Sequence, residues 1–134
     1  MKCALIIPAW VPEDIFSSKT ASSQINYWQP LGTLYVAAVL QKKGHEVKFF
    51  NGAFMTHEEI LGGVRKFMPE FIGIYSTTFG WEKAKKTASD IRRITPPILP
   101  LNKGRSKEGL PRPYIVAGGP YPIALQEHCL EDAG

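Results

Sequence analysis

Four short apolar runs, each separated from the next by a stretch with helical periodicity, constrain this chain more than any other feature. They are Lys2-Cys3-Ala4-Leu5-Ile6-Ile7, Glu46-Val47-Lys48-Phe49-Phe50, Phe71-Ile72-Gly73-Ile74-Tyr75 and Tyr114-Ile115-Val116-Ala117. Most are apolar almost throughout instead of alternating, the pattern of strands buried on both faces. Strands of that kind, interleaved with helices, predict a parallel sheet covered on both sides: a three-layer α/β/α sandwich with right-handed crossovers. At 134 residues the chain is the size of one domain. With 44% hydrophobic and 21% charged residues, disorder throughout is excluded.

The helices between the strands carry their own punctuation. Pro30 suits a first helical turn; Leu31, Leu34, Tyr35, Ala38 and Val39 follow at helical spacing, and Lys42-Lys43 and Gly44 end the helix. Thr56-His57-Glu58-Glu59 is a capping box opening a helix with Ile60, Leu61, Val64, Phe67 and Met68 on its apolar side, stopped by Pro69. Trp81, Ala84, Ala88 and Ile91 predict a third helix ending at Thr95-Pro96-Pro97, and Pro122 to Leu130 the start of a last one. The segment 9–29 reads as a long polar loop, and 96–113, rich in proline and basic residues, as a mobile surface insertion. For a chain this short the flavodoxin-like strand order 2-1-3-4-5 is expected, within the wider Rossmann-like class. The chain stops at Glu131-Asp132-Ala133-Gly134, where a fifth strand would follow. It therefore reads as a single domain, 1–134, at the front of a longer protein, or as one whose exposed fourth strand is covered by something else, such as a second copy pairing through the open sheet edge.

Charge and cysteine usage narrow the partners. Of the net +4, the segment 82–112 holds nine Lys or Arg and three acids, and the remainder sums to −2. No aromatic residue lies between Ile91 and Arg112, so base stacking has nothing to work with there and nucleic acid is not expected. No apolar run approaches a membrane span, and Met1 to Pro8 is too short for a leader, so the chain reads as cytoplasmic. Cys3 and Cys129 form no C-x-x-C pair and read as reduced, buried thiols. The spacing of His45, His57 and His128 argues for no metal site.

In an open α/β sheet the ligand crevice lies beyond the carboxyl ends of the strands, where strand order reverses. The loops meeting there are Pro8-Ala9-Trp10 and Ser76-Thr77-Thr78-Phe79-Gly80, with Gly118-Gly119-Pro120 beside them. The paired glycines let a ligand lie on the backbone, and the hydroxyls precede a helix N-terminus, where a phosphate is favoured. The plainer alternative is a tight turn and a helix cap. No G-x-x-x-x-G-K-[ST], G-x-G-x-x-G or G-x-S-x-G motif occurs, and no catalytic residue is assigned.

Taken in order, several segments resemble the N-terminal cobalamin-binding domain of the cobalamin-dependent radical S-adenosylmethionine enzymes. These are Gln29-Pro30-Leu31-Gly32-Thr33-Leu34-Tyr35-Val36-Ala37-Ala38-Val39-Leu40, Gly44-His45-Glu46-Val47, Ile72-Gly73-Ile74-Tyr75-Ser76-Thr77-Thr78 and Ile115-Val116-Ala117-Gly118-Gly119-Pro120. The resemblance implies a flavodoxin-like cobalamin-binding fold holding cobalamin at the carboxyl edge. The corrin would face Pro8, Ala9, Trp10, Pro30, Leu31 and Gly32, with the nucleotide tail near Ser76, Thr77, Thr78, Gly118, Gly119 and Pro120. Trp10, Tyr27 and Trp28 would supply flat contact area. Asn51 stands where the family often has Asp. The Asp-x-His-x-x-Gly motif of mutase-type domains is absent, which implies base-off cobalamin without a histidine ligand. The cluster motif C-x-x-x-C-x-x-C is absent too, so S-adenosylmethionine and an iron–sulfur cluster would belong to a downstream catalytic domain of a methyltransferase or cyclase.

Two other classes share parts of this pattern. The N-terminal half of a GT-B glycosyltransferase also leads a helix into Gly-His-Glu-Val, but places a glycine-rich turn soon after its first strand, where this chain has more than twenty residues. A receiver-like interaction domain needs clustered acids after that strand, and Glu13 and Asp14 lie well into the loop.

Overall fold

The computed structural model describes residues 1–14, 17, 19, 30–95 and 113–133. Among the described residues four strands are present: β1 (Lys2–Ile7), β2 (Glu46–Asn51), β3 (Phe71–Tyr75) and β4 (Tyr114–Gly118). The helices are α1 (Leu31–Lys42), α2 (His57–Phe67), α3 (Trp81–Ile94), α4 (Pro120–Leu125) and α5 (Glu127–Ala133). A 3-10 turn, Pro12–Asp14, falls within the segment read as a loop, while positions 20–29 and 96–112 lie outside the described residues. Every strand pair is parallel and the order is β2-β1-β3-β4, the arrangement that the strand–helix alternation implies.

The register sorts the side chains onto two faces, because paired residues in adjacent strands point the same way. Ile6 pairs with Phe50 and Ile74, and Ile72 with Ala4 and Ile115, so these share one face. That face meets Ile60, Val64 and Phe67 of α2 and Trp81, Ala84 and Ile91 of α3 in one buried cluster. Burying a side chain such as Ile60 contributes about 1.5–3 kcal/mol. The α2 capping box is formed: Glu59 N–H donates to Thr56 Oγ1 (3.2 Å) and Thr56 N–H to Glu59 Oε2 (2.8 Å). The helix ends at Met68 in a left-handed conformation, φ 50°, just before Pro69.

The opposite face is covered differently. Its buried members, Cys3 and Leu5, lie on β1, whereas Tyr114 and Val116 of β4 are 74% and 49% exposed. The α1 helix packs over β2 and β1. Its orientation departs from the spacing argument. Leu31, Leu34, Tyr35, Ala38 and Val39 are exposed, and the half-buried positions are Thr33, Ala37 and Leu40. With apolar residues around the whole circumference, the pattern did not define one face, and the narrow side chains of Thr33 and Ala37 allow close approach to the sheet.

The last predicted helix is two. Gln126 has φ 38°, which breaks the rod between α4 and α5. Trp81 ties this end to α3, donating Nε1–H to Asp132 Oδ2 at 2.6 Å and packing against Tyr121. Cys3 and Cys129 are both free and buried. Among the described residues no helix is long and apolar enough to cross a membrane.

Candidate functional site

The carboxyl edge is shaped by four strand-ending loops. After β1 the chain folds back over the turn after β2. Gly52 N–H donates to the Ile7 carbonyl at 2.9 Å, and a Cβ at Gly52 would collide with the Pro8 carbonyl and the Ala9 backbone. Asn51 closes its own turn, its Oδ1 accepting from Ala53 N–H at 3.0 Å. The loop after β1 is held from outside as well: Asp14 accepts from Val11 N–H at 2.7 Å and from the Lys83 ammonium of α3.

The loops after β3 and β4 are bonded to each other, Ser76 N–H donating to the Gly118 carbonyl at 2.7 Å. Ser76 is buried, 1% exposed, and its hydroxyl donates to the Thr77 carbonyl. Thr77 Oγ1 accepts from Gly80 N–H at 3.3 Å, the local bond of a turn leading into α3. Thr78 is exposed. The two glycines at the end of β4 play different parts. Gly119 has φ +104°, and a Cβ there would run into the Ser76 carbonyl, so glycine is a requirement of the backbone. Among the described residues nothing lies within 4 Å of where a Cβ of Gly118 would sit.

Pro30, Leu31 and Gly32 open α1. Its last turn leads through only three residues into the amino end of β2. Its length of about 18 Å matches a six-residue strand, so its first turn stands at the carboxyl edge with the other loops. Pro120 begins α4, directly after Gly119. Of the aromatic candidates Trp10 is half-buried at this edge, while Tyr27 and Trp28 lie outside the described residues.

Sequence reasoning missed an apolar rim. Val11, Phe54 and Phe79, one from each of the first three loops, are exposed at 52%, 66% and 69%. It also missed an open cleft of about 640 Å³ beyond β1 and β2, lined by Trp10, Phe54, Met55, His57, Lys83 and Lys86 among others. Its wall is an ionic cluster. Asp90 accepts from His57 Nε2 (2.9 Å) and Lys86 Nζ (2.7 Å), with Arg93 at 3.2 Å. The Lys86 bond, then the His57 bond, lower the Asp90 carboxyl to about 2 against the desolvation that raises it. For Asp14, burial pushes upward, but the Lys83 and Val11 bonds and the Lys83 charge outweigh it and hold the carboxyl below its usual range. No motif announces this cluster; the one signal is the helical spacing of Lys83, Lys86 and Asp90 on α3.

This edge offers a broad, mostly apolar rim with hydrogen-bond donors at one side and bare backbone at the other. Such a surface suits a wide ligand with a polar arm better than a small compact one. Among the described residues no group of three or more His, Cys, Asp or Glu is placed to hold a metal ion. A family model described as "B12 binding domain" matches residues 21–134. No curated protein matches the chain.

Proposed function

From the premise that this chain belongs to the B12-binding domain family and binds cobalamin, we propose that it holds the corrin base-off, without a histidine ligand, for a downstream radical S-adenosylmethionine catalytic domain. The backbone at Gly118 carries the placement, since a Cβ there would meet nothing within 4 Å among the described residues. Gly73 and Gly118 lie on the same, half-covered face, in register with Val116 and Tyr75. The nucleotide tail rests along this trough, with its phosphate toward exposed Thr78 and Pro120. The corrin lies across Pro8, Ala9, Trp10 and the start of α1 at Pro30, Leu31 and Gly32, against the rim of Val11, Phe54 and Phe79. Ser76, Thr77 and Asn51 act through the backbone turns they close. When bound, the corrin supplies a cobalt centre able to carry an alkyl group; the protein's part is to hold it with its upper face open.

The histidine positions support the absence of a protein ligand. His45 precedes β2 at the amino edge, and His128 sits on α5 facing Glu131. His57 alone stands at the carboxyl edge, and its Nε2 is engaged by Asp90. The ordered set of segments from Gln29 to Pro120 supports the radical-enzyme parentage and, with it, a methyltransferase or cyclase as the whole protein. Two free, buried cysteines suit a reducing, cytoplasmic setting. The β4 edge, Tyr114–Gly118, carries no charge, whereas β2 at the other edge carries Glu46 and Lys48; β4 is therefore the edge that pairs with a second copy.

Titration of the purified chain with hydroxocobalamin, followed by desalting and an absorption spectrum, tests the reading. Roughly one corrin per chain with a base-off spectrum is expected. A base-on or histidine-ligated spectrum overturns the ligation state, and no bound corrin at a large excess of ligand overturns the whole placement.

A further inference from the structure

The cleft beyond β1 and β2 lies on the far side of the edge from Gly118. Its lining divides by chemistry. Ala9, Trp10, Val11, Phe54 and Met55 are apolar, Lys83, Lys86 and His57 bring nitrogen donors, and Thr56, Thr87 and the Glu58 carboxylate complete the polar lining. Three segments distant in sequence form it: the loop after β1, the loop after β2 with the α2 N-terminus, and the α3 flank. They are fastened by two carboxylates that pair with the cleft's own cations. Asp14 joins the β1 loop to Lys83, and Asp90 joins His57 on α2 to Lys86 on α3. An ammonium has three N–H bonds. Lys83 uses one on Asp14; Lys86 points one at Asp90 and lies 3.3 Å from His57 Nε2. Each keeps a donor for a neutral acceptor while its charge is already balanced. That is the property of a site for amide carbonyls, since a free anion would have to compete with the two carboxylates.

We propose that this cleft receives the amide-bearing side arms on one flank of the corrin, with the ammonium groups of Lys83 and Lys86 donating to their carbonyl oxygens and Phe54 and Trp10 packing on the apolar ring edge. The inference rests on the cobalamin reading and deepens it: the corrin flank and the nucleotide tail are gripped at two separate places. At about 640 Å³ the cleft accommodates side arms of this size and not the whole corrin with its tail. Asp14 and Asp90 are positioning residues that set where the two ammonium groups stand.

Cobinamide, which has the corrin and its amide arms but no nucleotide tail, separates the two grips. Binding of hydroxocobalamin and of dicyanocobinamide is measured for the unaltered chain, for Lys83→Met with Lys86→Met, for Phe54→Ala and for Gly118→Val, each checked by thermal unfolding without ligand. The lysine pair is expected to lose at least about a hundredfold in affinity for both ligands, in line with two lost charge-assisted bonds, and Phe54→Ala to weaken both. Gly118→Val is expected to weaken hydroxocobalamin alone. Lysine and Phe54 variants that bind both ligands as well as the unaltered chain overturn the cleft assignment while leaving the cobalamin reading intact. A Gly118→Val chain that binds both normally displaces the tail and leaves the cleft standing. An unaltered chain that binds neither ligand overturns the cobalamin reading and this inference with it.

Discussion

Adjacent glycines at the end of β4 show how little residue identity says without its backbone. Gly118 and Gly119 are equivalent in the sequence, yet only Gly119 has a positive φ and a carbonyl in the place of its Cβ. Gly119→Ala is expected to lower stability by about 1–3 kcal/mol, while Gly118→Ala leaves ligand-free stability unchanged within about 0.5 kcal/mol; urea unfolding of both variants measures the difference. On the proposed placement, a substitution at Gly118 therefore reports on ligand and one at Gly119 on the fold. Asp90 belongs to the same scale. Its carboxyl is lowered from 3.8 to about 2. A depressed carboxyl stabilises the fold above its unfolded value and loses that contribution as pH falls through the folded one. Asp90→Asn should therefore cost stability at pH 5–7, about 1 kcal/mol after discounting for solvent screening. The cost should shrink between about pH 4 and pH 2, as denaturation midpoints across that range would show. An equal loss at pH 2 and pH 6 would rule out the ionic origin.

At the scale of elements, α1 and α2 teach opposite lessons. In α2 the capping box, the spacing of Ile60, Val64 and Phe67 and the stop at Pro69 were all legible, because local chemistry and burial agree on one face. Thr56→Ala should cost about 1 kcal/mol through the lost cap, read from the urea midpoint. In α1 the apolar residues run round the helix, and the face that meets the sheet is Thr33, Ala37 and Leu40. Tyr35, 73% exposed, is the discriminating position. Tyr35→Gln should leave the unfolding midpoint unchanged, and Ala37→Leu, by overpacking the sheet contact, should lower stability by about 1–3 kcal/mol. The reverse order would mean that α1 turns its other side to the sheet in solution.

For the whole molecule, the two sheet faces and the two sheet edges are unequal. One face is closed by α2 and α3; among the described residues the other carries α1 alone, and Tyr114 and Val116 of β4 are exposed. The β4 edge is also the uncharged one. Self-association at high protein concentration is therefore expected, and Val116→Lys should reduce it, as sedimentation velocity over a concentration series would reveal. Sedimentation unchanged by that substitution would place any pairing elsewhere.

The sequence by itself determined the parallel α/β/α sandwich, its strands and most helix boundaries. Apolar runs, caps and prolines are local signals, and a parallel sheet with helices on its two faces is the arrangement that satisfies them together. It also marked the Ser76 and Gly118-Gly119 loops as meeting places, because strand order alone brings them to one edge. Only the tertiary structure decided which hydroxyls are consumed by their own turns, which of two glycines is open, and which way α1 faces. It alone brought Asp14 to Lys83 and His57 to Asp90 around a cleft. Those are contacts between residues distant in the chain, and no local pattern encodes a distance that the packing of other elements sets.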